Sequence, residues 1–210
     1  ASGEGRLGLI ATETCSAVST RGANDLGVFR RNNYLPAVEF AAQTNNPAVY
    51  GEFVWTGFDY LGEPDPHAEK GARSSYYGIV DLCGFPKERY WIYRAHWRPE
   101  CPGAPEPESA GPAVRLELTG ERFRDLVFVK IRAADARGAT VTNFNERLSF
   151  ATSGDCRLAG VGNGDPMDYD SLQGDAIRAF HGLAQAIVRG KSGKLVVRSP
   201  TFGKQMIIVK

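Results

Sequence analysis

In the stretch 10-IATETCSAVSTRG-22 a carboxylate, Glu13, follows the apolar run Leu7, Leu9, Ile10 and Ala11 and stands between two threonines. A charge at the end of a buried strand is either a cap or a chemical tool. The tool reading is catalysis by a carboxylate; the structural reading is a polar strand end salt-bridged to Arg21. A second strand-like run, AVYGEFVW (48–55), ends in Trp55. The long Gly/Pro/Asp-rich loop after it, 56-TGFDYLGEPDPHAEKGARSS-75, brings Asp59, Tyr60, Glu63, His67 and Arg73 to the same end. In α/β barrels reactive residues lie at the C-terminal strand ends, because the βα loops converge there on one cavity.

Each of these residues also has a plainer reading. Trp55 can pack against a barrel rim. His67, with no second histidine near it in a mobile polar loop, is expected to be solvated. Tyr90, Trp91, Tyr93 and Trp97 read as a helix face packed on the domain rather than a ligand platform.

These residues need elements to hold them. RLGLIAT (6–12) has the texture of a short strand, and YLPAVEFAAQTN (34–45) places Leu35, Val38, Ala41 and Ala42 on one helical face. The strand at 48–55 follows, then the loop, a short extended run YYGIVDL (76–82) and an aromatic helix around 87-KERYWIYRAHW-97. That order is the grammar of a parallel α/β architecture. Prolines at 99, 102, 105, 107 and 112 mark 98–112 as a semi-rigid linker and a domain boundary.

Beyond the linker the period changes. In 126-LVFVKIRAAD-135, Val127, Val129 and Ile131 alternate with Phe128, Lys130 and Arg132, as in a strand with one buried face. Similar runs occur at 113–118, 147–152, 158–162, 182–190, 194–199 and 204–210, separated by turn signals such as 135-DARG-138, 153-SGD-155 and 162-GNGDP-166. About seven short strands in roughly 100 residues predict an immunoglobulin-like β-sandwich.

Composition narrows the function classes. Lys plus Arg number 25 and Asp plus Glu 24, so a net charge of +1 gives no electrostatic case for a nucleic acid or an anionic membrane as partner. No apolar segment approaches the roughly 18 residues needed to span a bilayer, and ASGEGRLG lacks the regions of a signal peptide, so the chain is expected to be soluble as given. Cys15, Cys83, Cys101 and Cys156 form no CxxC pair and are expected to be free, mostly buried thiols; a Cys101–Cys156 bridge is the alternative.

The stretches 53-FVWTGFDYLGEPDP-66 and 74-SSYYGIVDLCGFPKERYWIYRAHWRPE-100 resemble the last barrel strand and closing segment of bacterial β-galactosidase-type enzymes of glycoside hydrolase family 2. 12-TETCSAVSTRG-22 resembles the seventh-strand motif of that family. 158-LAGVGNGDP-166 and 180-FHGLAQAIVRGKSGKLVV-197 resemble its C-terminal immunoglobulin-like domain. The resemblance implies a fold of α/β plus all-β: the C-terminal part of a (β/α)8 TIM barrel over 1–97, the linker, and the sandwich over 113–210. It also implies a retaining glycosidase with Glu13 as catalytic nucleophile and with Trp55 and Asp59 as substrate-binding residues, Trp55 flooring the sugar subsite.

Retaining hydrolysis needs a second carboxyl group about 5 Å from the nucleophile. In the family the acid/base glutamate ends an earlier strand in an Asn-Glu pair; the pair here, Asn145-Glu146, falls in the expected sandwich and cannot serve. A whole barrel takes about 250 residues, so the isolated chain is expected to be inactive and to need upstream barrel segments or a partner chain. The fifteen-residue linker, the segment from Thr20 to Phe53 and the hairpin near 119–126 look shorter than the family's, which fits a truncated or degenerate form. Some relatives hold sodium or magnesium, but the family's ion-binding asparagine would fall near Tyr76 or Tyr77, so no metal and no cofactor are expected. The expected substrate is a β-galactoside, and the resemblance favours a periplasmic or secreted location. A different class of reading is a non-catalytic carbohydrate-binding or assembly module built on 113–210, which exposed aromatics there would favour; a vestigial remnant is a third.

Overall fold

The computed structural model describes residues 8–21, 35–65 and 67–210. Leu7 and the side chain of Leu35, both counted above among apolar faces, lie outside the described residues. The chain divides into two units, Ala1–Pro105 and Glu106–Lys210.

In the first unit, β1 (Leu9–Thr14) and β2 (Val49–Val54) form a parallel pair, with α1 (Leu35–Thr44) between them in sequence. Pro36 fits the first turn of α1, where its missing N–H is no loss. Asn45-Asn46-Pro47 ends the helix, since Pro47 cannot continue it. The face α1 buries is not the expected one. Pro36 and Phe40 are buried, while Val38, Ala41 and Ala42 face outward. The reason is aromatic packing: Phe40 stacks on His96 with ring centroids 3.6 Å apart and meets the edge of Tyr93 at 5.5 Å. Both partners sit on α2 (Glu88–Trp97).

The run 76–82 does not form a strand. It makes isolated bridges, Phe58 with Val80 and Val80 with Pro86, and it turns back at Asp81. That carboxylate accepts the N–H groups of Cys83 and Phe85 at 2.8 and 2.9 Å. Among the described residues of this unit there is one two-stranded parallel sheet and no closed barrel.

The second unit is all-β. Its strands are β3 (Glu108–Ser109), β4 (Arg115–Phe123), β5 (Leu126–Ala134), β6 (Thr140–Val141), β7 (Arg147–Gly162), β8 (Ala176–Arg178), β9 (Leu183–Ser199) and β10 (Gly203–Val209). They make one curled eight-stranded sheet in the order β3-β6-β5-β9-β7-β8, with β4 on β5 and β10 on β9. Here the structure corrects the count of short strands. The runs 147–152 and 158–162 are one strand, β7, and the runs 182–190 and 194–199 are one strand, β9.

The turn-like residues 153–155 lie in regular register inside β7, and the irregularity falls beside them. Asp155 pairs with Ser192 and Cys156 with Gly190, so Lys191 is the extra residue. Gly190, at φ +143°, would place a Cβ 2.2 Å from the Asp155 carbonyl oxygen, so only glycine fits that crossing. The bends let two continuous strands serve both halves of the sheet around one core that includes Val129, Ile131, Leu148, Ile177, Val188, Leu195 and Val197. Part of the expected linker is also structured: Glu108 and Ser109 pair in parallel with Thr140 and Val141.

Candidate active site

Glu13 is the penultimate residue of β1, and Trp55 directly follows β2. The parallel register sets Thr14 opposite Val54, and the Trp55 N–H donates to the Thr14 carbonyl at 2.9 Å. The two residues thus emerge side by side at the C-terminal ends of neighbouring strands. The Glu13 side chain is exposed and accepts from the Ser16 hydroxyl at 3.1 Å. Arg21, the partner weighed for it, donates from Nε to Asp81 at 3.0 Å in a buried pair.

The Trp55 indole is 39% exposed, presenting an apolar ring to solvent. Its Nε1–H donates to the Tyr60 hydroxyl at 3.2 Å, the two rings meet edge to face at 5.9 Å, and the Tyr60 hydroxyl in turn donates to Glu63. A flat apolar face whose edge is pinned by a hydrogen-bonded chain is suited to stacking on the C–H face of a sugar.

The other loop residues separate. Asp59 does not reach the open face: its carboxylate is buried, 2.6 Å from Lys87 Nζ, and it accepts the Gly78 N–H at 2.8 Å. His67 is buried too, edge to face with Tyr76 at 5.2 Å, rather than solvated. The loop tucks inward because Leu61 bridges Ser74 and Phe58 bridges Val80, folding its polar residues under its own backbone. Burial pushes the Asp59 carboxyl up to about 6 against the opposing pull of Lys87, and burial likewise brings the Lys87 ammonium down to about 8 against the pull of Asp59. Of the aromatic residues Tyr90, Trp91, Tyr93 and Trp97 on this helix, Tyr93 is buried, Tyr90 and Trp91 are half-buried, and Trp97 is exposed.

Sequence reasoning missed the residues that hold this end of the unit together. Lys87 Nζ donates to the Ser19 carbonyl at 2.8 Å and the Tyr76 carbonyl at 3.2 Å as well as to Asp59. Arg89 donates to the Cys15 carbonyl at 3.3 Å and the Tyr77 carbonyl at 2.7 Å. Cys15, two residues past Glu13, holds the left-handed conformation at φ 51°, which costs a residue with a Cβ about 1–2 kcal/mol. Its N–H is taken by Glu39 of α1 at 3.0 Å. A signal was present in 86-PKER-89: two cations at a helix N-terminus oppose its dipole and therefore call for specific acceptors.

The four cysteines are free, and Cys15 alone among them is buried. Among the described residues no group of three or more His, Cys, Asp or Glu is gathered to hold a metal ion. In the second unit Phe144 and Phe150 belong to the core, whereas Phe123 and Tyr169 are exposed.

Residues 116–207 match the family model described as glycoside hydrolase family 2 C-terminal domain 5. The chain is 26% identical over 244 residues to the beta-galactosidase BoGH2A of Bacteroides ovatus, an alignment covering 79% of this chain and 29% of that protein. A stretch of 54 residues, 25% of this chain and 5% of the relative, is 37% identical to a putative beta-glucuronidase of Formosa agariphila. Among solved structures, a beta-glycosidase from Bacteroides vulgatus superposes with a TM-score of 0.76 at 18% identity, covering 96% of this chain and 41% of that one. A glycosyl hydrolase family 2 member from Bacteroides cellulosilyticus does so with a TM-score of 0.74 at 15% identity, covering 96% and 39%. The chain therefore spans well under half the length of these relatives.

Proposed function

We propose that the chain is part of a glycoside hydrolase family 2 enzyme, the family whose C-terminal domain 5 matches residues 116–207, and that it carries the nucleophile and the sugar platform of a retaining β-galactosidase-type glycosidase. In this reading the first unit is the C-terminal part of a (β/α)8 barrel and the second an immunoglobulin-like domain. The observation that carries the reading is the side-by-side emergence of an exposed Glu13 and an exposed, pinned Trp55 at the C-terminal ends of parallel neighbours. Galactoside specificity draws on the name of the Bacteroides ovatus relative alone.

The chemistry assigned to these residues balances as a double displacement. A Glu13 oxygen attacks the anomeric carbon as the bond to the leaving oxygen breaks, and a second carboxyl group protonates that oxygen. Water then attacks the same carbon, the second group takes its proton, and Glu13 leaves as carboxylate. That second group is proposed to come from upstream residues, whose strands would also cover Leu9, Ile10, Tyr50 and Phe53, all exposed here. Asp59 is reassigned from substrate contact to holding the loop after β2 against Lys87.

The test uses the full-length protein and a 2-deoxy-2-fluoro-β-galactoside with a dinitrophenolate leaving group, which traps the glycosyl ester. Mass spectrometry should find the added sugar on the peptide containing Glu13. A sugar on any other residue, or hydrolysis by the Glu13→Gln variant at the wild-type rate, overturns the assignment.

A further inference from the structure

We infer that Arg89 is a positioning residue for Glu13, fixing the carboxylate through the turn that follows it. The inference rests on the nucleophile reading above and adds to it the device that aims the nucleophile.

Arg89 is fully buried near the N-terminus of α2, where the helix dipole disfavours a cation and burial lowers its pKa. What holds it there is a pair of backbone carbonyls from two different segments. One belongs to Cys15, two residues past Glu13, and Nη1 also lies 3.8 Å from the Cys15 sulfur. The other belongs to Tyr77, whose oxygen also accepts the N–H of Thr56 at 3.3 Å, one residue past Trp55. A single planar guanidinium thus ties the chain leaving the nucleophile to the chain leaving the sugar platform. Its fork geometry suits two acceptors at a fixed spacing, which a lysine's point charge does not reproduce.

The turn it holds needs holding. Cys15 is buried in a left-handed conformation, with its N–H on Glu39 of α1 and its carbonyl shared between Arg89 and the Ala17 N–H. Glu39 and Arg89 hold the two successive peptide units that flank the Cys15 Cα, each from a different helix. Arg89 Nε has no acceptor among the described residues, so the guanidinium's hold is spent on these two carbonyls. Take it away and the Cys15 turn keeps its short contact to Ala17 but loses its link to the segment that also registers Trp55. Glu13 is exposed, and the hydrogen bond it accepts from Ser16 lies within the same turn, so it would follow any shift of that turn.

The experiment measures the first-order rate constant for trapping by the 2-fluoro galactoside in full-length Arg89→Met, separately from the fraction of enzyme that becomes labelled. A displacement of order 1 Å at a reacting group costs about 100-fold. The expected result is a trapping rate constant lowered by about that factor, with the substrate dissociation constant changed by less than about threefold. Arg89→Lys should restore little of the rate. Should Arg89→Met not fold, Glu39→Ala, which removes the other grip on Cys15, is expected to lower the same rate constant by about tenfold. A labelled fraction that falls while the rate constant of the labelled molecules stays at the wild-type value overturns the inference, since a merely structural arginine would do that. If the wild-type label is not on Glu13, the nucleophile reading fails and this inference with it. If the label is on Glu13 and the variant traps at the wild-type rate, this inference fails alone.

Discussion

Lys87 Nζ lies 2.6 Å from Asp59 Oδ2, with both side chains shut off from solvent. The ammonium also donates to the Ser19 and Tyr76 carbonyls, so one side chain joins the segments that follow β1 and β2 to the segment that returns through Tyr76. Removing one member of such a pair leaves the other charge buried alone. Lys87→Met should therefore destabilise the protein by about 3–5 kcal/mol in denaturant unfolding. The double variant with Asp59→Asn should lose less than the sum of the two single variants. Strict additivity would mean the two groups do not depend on each other.

The same pair sets a pH dependence. Burial raises Asp59 from 3.8 to about 6, so the folded protein keeps a proton that the unfolded chain has released. Stability from this group is full below 3.8 and is lost as pH rises through about 6. Lys87, brought from 10.5 to about 8, is the mirror case: its contribution is full above 10.5 and is lost as pH falls through about 8. Unfolding free energy of wild type minus that of Asp59→Asn should decline from pH 3.8 to about 6 and then level off. A difference that climbs over this interval would contradict the sign.

Tyr60 pins the Trp55 indole while donating to Glu63. Tyr60→Phe removes both hydrogen bonds and leaves the rings in contact. Each bond is worth about 0.5–1.5 kcal/mol, so in the full-length enzyme KM for a β-galactoside should rise by about two- to tenfold with kcat little changed. Loss of kcat at constant KM would place Tyr60 in the chemical step.

The face that α1 buries can be tested by two truncations. Phe40→Ala removes the ring stacked between His96 and Tyr93 and should cost about 3–5 kcal/mol. Val38→Ala, on the outward side, should stay within about 0.5 kcal/mol. Equal costs, read by thermal unfolding of both variants, would restore the face expected from the helical spacing.

Thiol reactivity should follow burial. Cys101 is exposed and should react promptly with an aromatic disulfide reagent at mildly alkaline pH. Cys15 is buried, and that burial raises its pKa, so it should react only once the protein unfolds. Prompt modification of Cys15, mapped by peptide mass, would mean that the turn after Glu13 opens readily.

The sequence was most legible where one physical signal dominated. Alternation in β5 identified Val127, Val129 and Ile131 as core, and all three are buried. The strand ends carrying Glu13 and Trp55 were readable because apolar runs stop there. Legibility failed where tertiary pairing overrode local cues. Gly, Ser and Asp around 153–155 and 190–193 have the composition of turns, but long-range pairing between β7 and β9 holds them in continuous strands with Lys191 bulged out. Spacing in α1 favoured Val38, Ala41 and Ala42, yet one phenyl ring between two aromatic partners on α2 outweighed three small or branched side chains. Asp59 and His67 looked solvent-facing because their loop is polar; its bridges to residues 74 and 80, which bury them, are not local.

The bent strand β9 has a consequence for the order in which the second unit can be assembled. It pairs with β5 on one side, with β7 along almost its whole length, and with β10 at its far end. As the chain leaves the ribosome, β5 can zip onto β4 at once, but both β5 and β7 wait for residues 183–199 before their remaining edges are satisfied. Until then the nascent chain carries two open ladders, a state in which it can pair with a neighbour or be captured by a holding chaperone. Premature termination within β9 would therefore abolish the unit rather than trim it.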